Sequence, residues 1–407
     1  MSLDFQQLTT SLSQMAQAAE SRTLTRETLL DEVVAFMHNN ANAWDALEDA
    51  YQFIDKEILQ ATNYRPYHGA RLLNPGTMAV DSAIDSKSEE LPAKATIISV
   101  DGSQILPDRH APYIYYLINT GGIVYQHGSA VAPEVFTTPE LFYPQADEID
   151  LGRFNSPTSV SIERDQAEIG ELARRTVANR QGEGPLLAMM DQRLLYVPAG
   201  ELAPQFKEKV LKEWQREMST IRQAGGWLVG YVDRPAKSSV VGMLRTIHPD
   251  WSANEPDNLG NWNGLTDAQL FARLLEPGQR SIVFADVSHA NARFKKAGKH
   301  NEICFFYLNS AQAGINIARV DLPVWVAQDD EAVNAVHALV LDQCKILGRY
   351  PYVLTRADEM AVVGKQDQAE LEFRIARFMD RQGLGGRETA KQESKGWARG
   401  AKQIHEI

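Results

Sequence analysis

Two short apolar runs that each hand an aspartate to a turn constrain this chain more than any other feature. Residues 95–104 (ATIISVDGSQ) carry Ile97, Ile98 and Val100, β-branched side chains of the kind that fill a buried strand, and Asp101-Gly102-Ser103 is a sequence that ends one. Residues 185–190 (PLLAMM), followed by Asp191, repeat the arrangement. Asp101 is therefore expected at a strand's carboxyl end, with residues 113–119 and 122–128 as two further strands joined through Thr120-Gly121-Gly122. Should the two aspartate-bearing strands be parallel neighbours, both carboxylates open on one rim, where α/β sheets build their sites.

The flanking segments read as helices. Apolar residues recur at helical spacing from Asp4 to Glu20, again after Thr25 (Leu29, Leu30, Val33, Val34, Phe36, Met37), and from about Trp44 to Leu59. Residues 64–92, rich in Pro, Gly, Ser and charge, read as a linker. Four prolines between 132 and 158 argue against a long regular element there. A helix over 161–179, another over 201–225, and strands at 226–232, 281–287, 304–309 and 317–326 follow; 330–347 and the region after Thr355 are again helical. The expected division is an N-terminal helical region and linker (1–92), an α/β domain (93–382) and a basic tail (383–407).

Composition narrows the classes. At 407 residues, with 44% hydrophobic and 23% charged side chains, the chain can bury a substantial core. Its two cysteines, Cys304 and Cys344, support neither a disulfide framework nor a cysteine zinc site. No signal-peptide pattern or membrane-length apolar run is present, so the expected location is cytoplasmic with no membrane association. A net charge of −12 argues against broad adhesion to nucleic acid, but not against a local basic groove or carboxylates neutralised by divalent cations.

Between the two aspartates lies a predicted helix rich in carboxylates: Glu163, Asp165, Glu168 and Glu171. Oxygen-only ligands of this kind select Mg²⁺ or Mn²⁺, ions that stabilise charge on the oxygens of a phosphodiester. A strand-end aspartate is also a common turn cap, so the repetition and not either residue alone carries the signal.

The segments SVDGSQ, RDQAEIGELA, PLLAMMDQRLL and RYPYVLTRADEMAVVG, in that order, resemble the motifs of the NurA family, nucleases with an RNase H-like fold that work with the HerA ATPase in DNA end processing. The resemblance implies an α/β fold with a mixed sheet flanked by helices, preceded by a helical region and followed by a helical C-terminal segment. It implies a Mn²⁺- or Mg²⁺-dependent deoxyribonuclease, exo- or endonucleolytic, acting on single strands or duplex ends. Implied partners are DNA, a HerA-type hexameric ATPase and a second copy of the chain in a homodimer. By position, Asp101, Glu168, Asp191 and Asp358 resemble the metal-binding and catalytic acids, with Glu171 the near alternative to Glu168 because helix rotation can bring either to the sheet. Tyr350 resembles the family's tyrosine before proline. Lys237 is placed where a lysine meets the substrate, and Arg387 and Lys395 lie with Lys391 and Arg399 in the basic tail, where they can track a DNA strand or simply form a solvated face. Two positions depart from the pattern: Gln192 stands where members usually have glycine, and Asp358 where many have histidine.

Two other classes compete. A catalytically silent scaffold of the same fold would bind DNA or a partner ATPase, but such proteins tend to lose acidic ligands and four candidates remain here. A strand, Asp-Gly-Ser and hairpin also open actin-like ATPases and sugar kinases. Those need a second glycine-rich phosphate turn, and MMDQRLL lacks the glycines.

Overall fold

The strand through Asp101 runs on beyond it. In the computed structural model, which describes residues 5–60, 67–74, 84–85, 91–108, 111–144, 156–198, 200 and 203–384, the strands in chain order are β1 His68–Leu72, β2 Ile84–Asp85, β3 Ala95–Ile105, β4 Tyr116–His127, β5 Glu134–Phe142, β6 Leu186–Met190, β7 Trp227–Asp233, β8 Gln279–Arg280, β9 Phe284–Ser288, β10 Ile303–Asn309 and β11 Ile317–Pro323. The chain divides into two compact units.

One unit comprises Ala93–Met190, Tyr196–Trp227 and Val353–Ile407. Its strands lie in the order β6-β3-β4-β5. β3, β4 and β5 are antiparallel, the Pro157–Ala178 helix follows, and β6 returns parallel to β3 with Ser99 opposite Met189. Three antiparallel strands, a helix and a fourth strand parallel to the first are the RNase H-like arrangement, so the expected mixed α/β fold is the one observed.

Two local expectations fail here for one reason. β3 pairs with β4 along its whole length, from Ala95 opposite His127 to Ile105 opposite Leu117, so Asp101 sits inside the strand and not at its end. Thr120-Gly121-Gly122 is the middle of β4 and not a hairpin turn. The glycines serve close approach: a Cβ on Gly121 would lie 2.3 Å from the backbone nitrogen of Ala361, and one on Gly122 would lie 2.3 Å from the carbonyl of Ser99. The proline-rich stretch also contains a strand, because Pro139 sits in β5, which among the described residues pairs only with β4 and tolerates a missing N–H. Ile105, Tyr115 and Leu117 form a small apolar cluster on which Leu371 and Ile375 of the Lys365–Arg381 helix pack, whereas Phe378 of the same helix is exposed.

The other unit comprises Met1–Pro92, Asp191–Leu195 and Leu228–Tyr352, with strand order β1-β9-β10-β11-β7, each neighbour antiparallel. β1 lies within the stretch read as a linker; HGARL lacks an alternating apolar pattern, and its pairing with β9 makes it a strand. Helices at Ser239–Thr246 and His289–Ala297 are likewise additional to the expected elements. At the N-terminus one helix, Phe5–Asn39, replaces the two expected, and its second half buries Leu30, Val33 and Met37 against Trp262, Phe271 and Phe305. Leu12 and Met15 in the first half are exposed. No helix among the described residues is long and apolar enough to cross a membrane.

Candidate active site

The Pro157–Ala178 helix begins with Pro157 at its first position and the Ser156 hydroxyl accepting the Ser159 N–H at 3.3 Å, which satisfies a donor that the helix end leaves open. Val160, Ile162, Ile169 and Leu172 are buried, and Glu168 is carried inward with them, leaving it 6% exposed. Arg164 lies one turn back, its Nε 3.1 Å from Glu168 Oε1, and its other arm donates to Asp165 Oδ1 at 2.7 Å. The Tyr196 hydroxyl donates to the second oxygen of Asp165 at 2.9 Å. Burial, and then the negative charges of Asp165 and Asp101, push the Glu168 carboxyl well above its ordinary range, and Arg164 only partly offsets them.

Gly102 permits this proximity. A Cβ there would meet Glu168 Oε1 at 2.6 Å and the Cγ atoms of Glu168 and Arg164 at 2.9 Å, so β3 can approach the carboxylate only where it lacks a side chain. Asp101 itself is half-buried, and its Oδ1 accepts the Gly102 N–H at 2.8 Å. Glu171 has the opposite character. Burial raises its carboxyl, but hydrogen bonds from Arg174 at 2.5 Å and Arg175 at 2.9 Å outweigh that and hold it below the usual range. Its charge is matched within the helix, whereas Glu168 is held in an excess of like charge.

Asp358 is exposed on the Tyr352–Ala361 helix. The end of that helix is gripped from the sheet: the Ala361 carbonyl accepts from Asn119 Nδ2 at 2.8 Å and from the Ser103 hydroxyl.

In the other unit, Asp191 is exposed and accepts a hydrogen bond from the Tyr350 hydroxyl. Burial raises the Tyr350 phenol far above its normal value, and the Asp191 bond and charge add to it. Its ring stands edge-on to Tyr231, with centroids 5.4 Å apart at 89°. The preceding Arg349 carbonyl accepts from the Ser310 hydroxyl at 2.9 Å, which fixes the backbone that presents the tyrosine. Asp233, which also adds to the charge around Tyr350, is a third aspartate at the end of an apolar strand, β7. The sequence signal that marks Asp101 and Asp191 marks Asp233 equally. It is followed by Arg234 at φ 45°, the one non-glycine in the left-handed region among the described residues.

Lys237 is exposed on the loop after β7. Its carbonyl accepts the Asp267 N–H at 2.8 Å, and the fully buried Asp267 carboxylate accepts from the N–H groups of Val240 and Val241 and from the Tyr307 hydroxyl. The loop is thus pinned at its base while the ammonium faces water. Arg387 and Lys395 lie outside the described residues.

Every candidate acid offers oxygen donors only, and Glu168 is held among like charges that a hard cation would neutralise; in donor chemistry the residues fit Mn²⁺ or Mg²⁺. Among the described residues no three Asp, Glu, His or Cys side chains are already gathered into a cage.

A family model described as the NurA domain matches residues 95–363, a span that includes Asp101, Glu168, Asp191, Lys237, Tyr350 and Asp358. No curated protein matches the chain by sequence. Among solved structures, the chain is similar to the NurA nuclease from Sulfolobus solfataricus (12% identity, 83% of this chain and 94% of that one, TM-score 0.46). It is also similar to a NurA structure bound to dAMP and manganese (12%, 80% and 92%, TM-score 0.29). A third similarity is to the catalytic domain of human endonuclease V (12%, 75% and 93%, TM-score 0.27).

Proposed function

The chain belongs to the NurA family, whose domain spans residues 95–363, and from that premise we propose that it is a nuclease hydrolysing DNA phosphodiester bonds with Mn²⁺ or Mg²⁺. The observation that carries the reading is the buried Glu168 kept beside Asp101 and Asp165 against its own electrostatic preference. Carboxylates placed so that their repulsion exceeds the compensation from Arg164 destabilise the metal-free protein, and a bound cation would relieve that repulsion.

Asp101, Glu168, Asp191 and Asp358 would hold the metal. When bound, a divalent cation supplies charge stabilisation at the phosphate oxygens and a water made acidic enough to attack. Tyr350 keeps the Asp191 carboxylate in one orientation through its hydroxyl. Arg164 limits the rotamers of Glu168, and Lys237 offers an ammonium to a backbone phosphate. The substrate is a single strand or a duplex end. The protein works as a homodimer with a HerA-type hexameric ATPase in end processing for repair or in defence; these finer statements rest on the family membership.

End-labelled single- and double-stranded DNA incubated with Mn²⁺, Mg²⁺ or EDTA tests this. Cleavage is expected with the metals and none with EDTA; intact DNA under every metal condition overturns the reading. Gly102→Ala provides a second check, since the added methyl displaces Glu168. A fall in single-turnover cleavage of about tenfold or more, equal to about 1.4 kcal/mol of barrier, is expected, and an unchanged rate removes Glu168 from the site.

A further inference from the structure

Immediately after Asp191 the chain is clamped at three points within its own unit. Arg193 Nη2 donates to Asp286 Oδ2 at 2.9 Å, the Leu194 N–H donates to Asp321 Oδ2 at 3.1 Å, and the segment lies over Gly230 of β7, where a Cβ would come within 2.5 Å of the Gln192 carbonyl. Gly230 pairs with Asp321, so the glycine and the carboxylate that receives Leu194 stand side by side on neighbouring strands.

The face beneath is an unusual thing to bury. Arg319, 1% exposed, donates from Nε to Asp321 Oδ1 at 2.6 Å and from Nη2 to Asp286 Oδ2 at 3.2 Å, and its guanidinium lies 3.6 Å from the centre of the Phe305 ring. Asp321 is 0% and Asp286 6% exposed. Two buried carboxylates against one guanidinium leave a net negative charge, and Arg193 completes the balance. A buried charge without its partner is strongly disfavoured, so the cluster is satisfied only when the segment after Asp191 is seated.

We infer that Arg193 is a positioning residue for Asp191: the Arg319–Asp321–Asp286 face exists to fix the backbone that presents this carboxylate. The inference rests on the metal-nuclease reading above. It also accounts for the path of Gln192, which is set by the clamp and by the space over Gly230.

Arg193→Ala and Arg193→Lys in the full chain test it, with free Mn²⁺ as the probe, followed by electron paramagnetic resonance, and with the Mn²⁺ dependence of cleavage and the melting temperature measured alongside. Loss of a group that orients a ligand typically weakens metal affinity 10–100-fold. Arg193→Ala is expected to weaken Mn²⁺ binding about tenfold or more and to raise the Mn²⁺ needed for half-maximal cleavage in parallel, and Arg193→Lys to recover part of both. Where Arg193→Ala fails to fold, Arg193→Lys carries the test, with affinity expected between wild type and a tenfold loss. A lowered melting temperature with unchanged Mn²⁺ affinity would make the clamp merely structural and overturn the inference, leaving the nuclease reading intact. A wild-type protein that neither binds Mn²⁺ nor cleaves DNA overturns both.

Discussion

Glu168→Gln is expected to silence cleavage and steady the fold at the same time. The substitution keeps the shape of the side chain and removes the charge, so the loss reports on the carboxylate. A fall of about 10²–10³-fold or more is expected, the scale of removing one electrostatic element from a transition state, and Asp101→Ala should fall as far.

Stability should move the other way. In metal-free protein the folded state holds the Glu168 proton more tightly than the unfolded chain, where the ordinary value of 4.5 applies, because burial and then Asp165 and Asp101 disfavour the anion. Between that value and the raised folded one, the native state binds more protons, so stability falls as pH rises through the folded pKa. Glutamine has no proton to lose. In EDTA the wild type should lose melting temperature as pH rises above the ordinary carboxyl range, while Glu168→Gln stays flatter and gains about 2–4 °C once the wild-type carboxyl has ionised, corresponding to about 1 kcal/mol. Adding Mn²⁺ should raise the wild-type melting temperature and leave the variant nearly unmoved. Parallel pH profiles for the two proteins would refute the electrostatic account of Glu168.

Gly121→Ala is expected to cost far more stability than one added methyl group usually does. Its Cβ would lie 2.3 Å from both the nitrogen of Ala361 and the carbonyl carbon of Met360, and backbone atoms cannot step aside as a side chain can. Either β4 bends or the end of the Tyr352–Ala361 helix lifts, loosening the grip of Asn119 and Ser103 on the Ala361 carbonyl. The expected cost is about 3 kcal/mol, the upper end for overpacking. Activity should fall too, because this helix carries Asp358. Gly170→Ala is the matched control: nothing lies within 4 Å of a Cβ there, and in mid-helix alanine should be neutral or stabilising by up to about 1 kcal/mol. Equal denaturation midpoints for the two variants would contradict this assignment.

The same glycine marks where sequence reading reaches its limit. Gly121-Gly122 looks like a turn because local propensity is all a sequence displays, and the helix that needs the space arrives some 240 residues later, as the Asn119-to-Ala361 separation of 242 indicates. The apolar runs that lead into Asp101 and Asp191 were legible because they are local, and Asp233 has the same signature, but the turn expected after Asp101 is continuous strand. The helix with Glu168 was legible as a helix, but the choice between Glu168 and Glu171 depended on rotamers and on which arginines lie within reach. The charged face under Arg193 joins partners 93 and 127 residues away, so no spacing rule could have found it. β1 escaped because its burial comes from its neighbours and not from its own five residues.

Pro139 bears on how copies of this protein meet. A terminal strand with open N–H and C=O groups invites another chain to add itself by backbone pairing, a route to fibrous association. β5 lacks a donor at Pro139 and presents exposed Glu134 and Glu140 on either side of the strand's centre. A second molecule aligning on β5 would meet a proline and two exposed carboxylates, one of them paired with Arg175, features that disfavour backbone pairing at this strand.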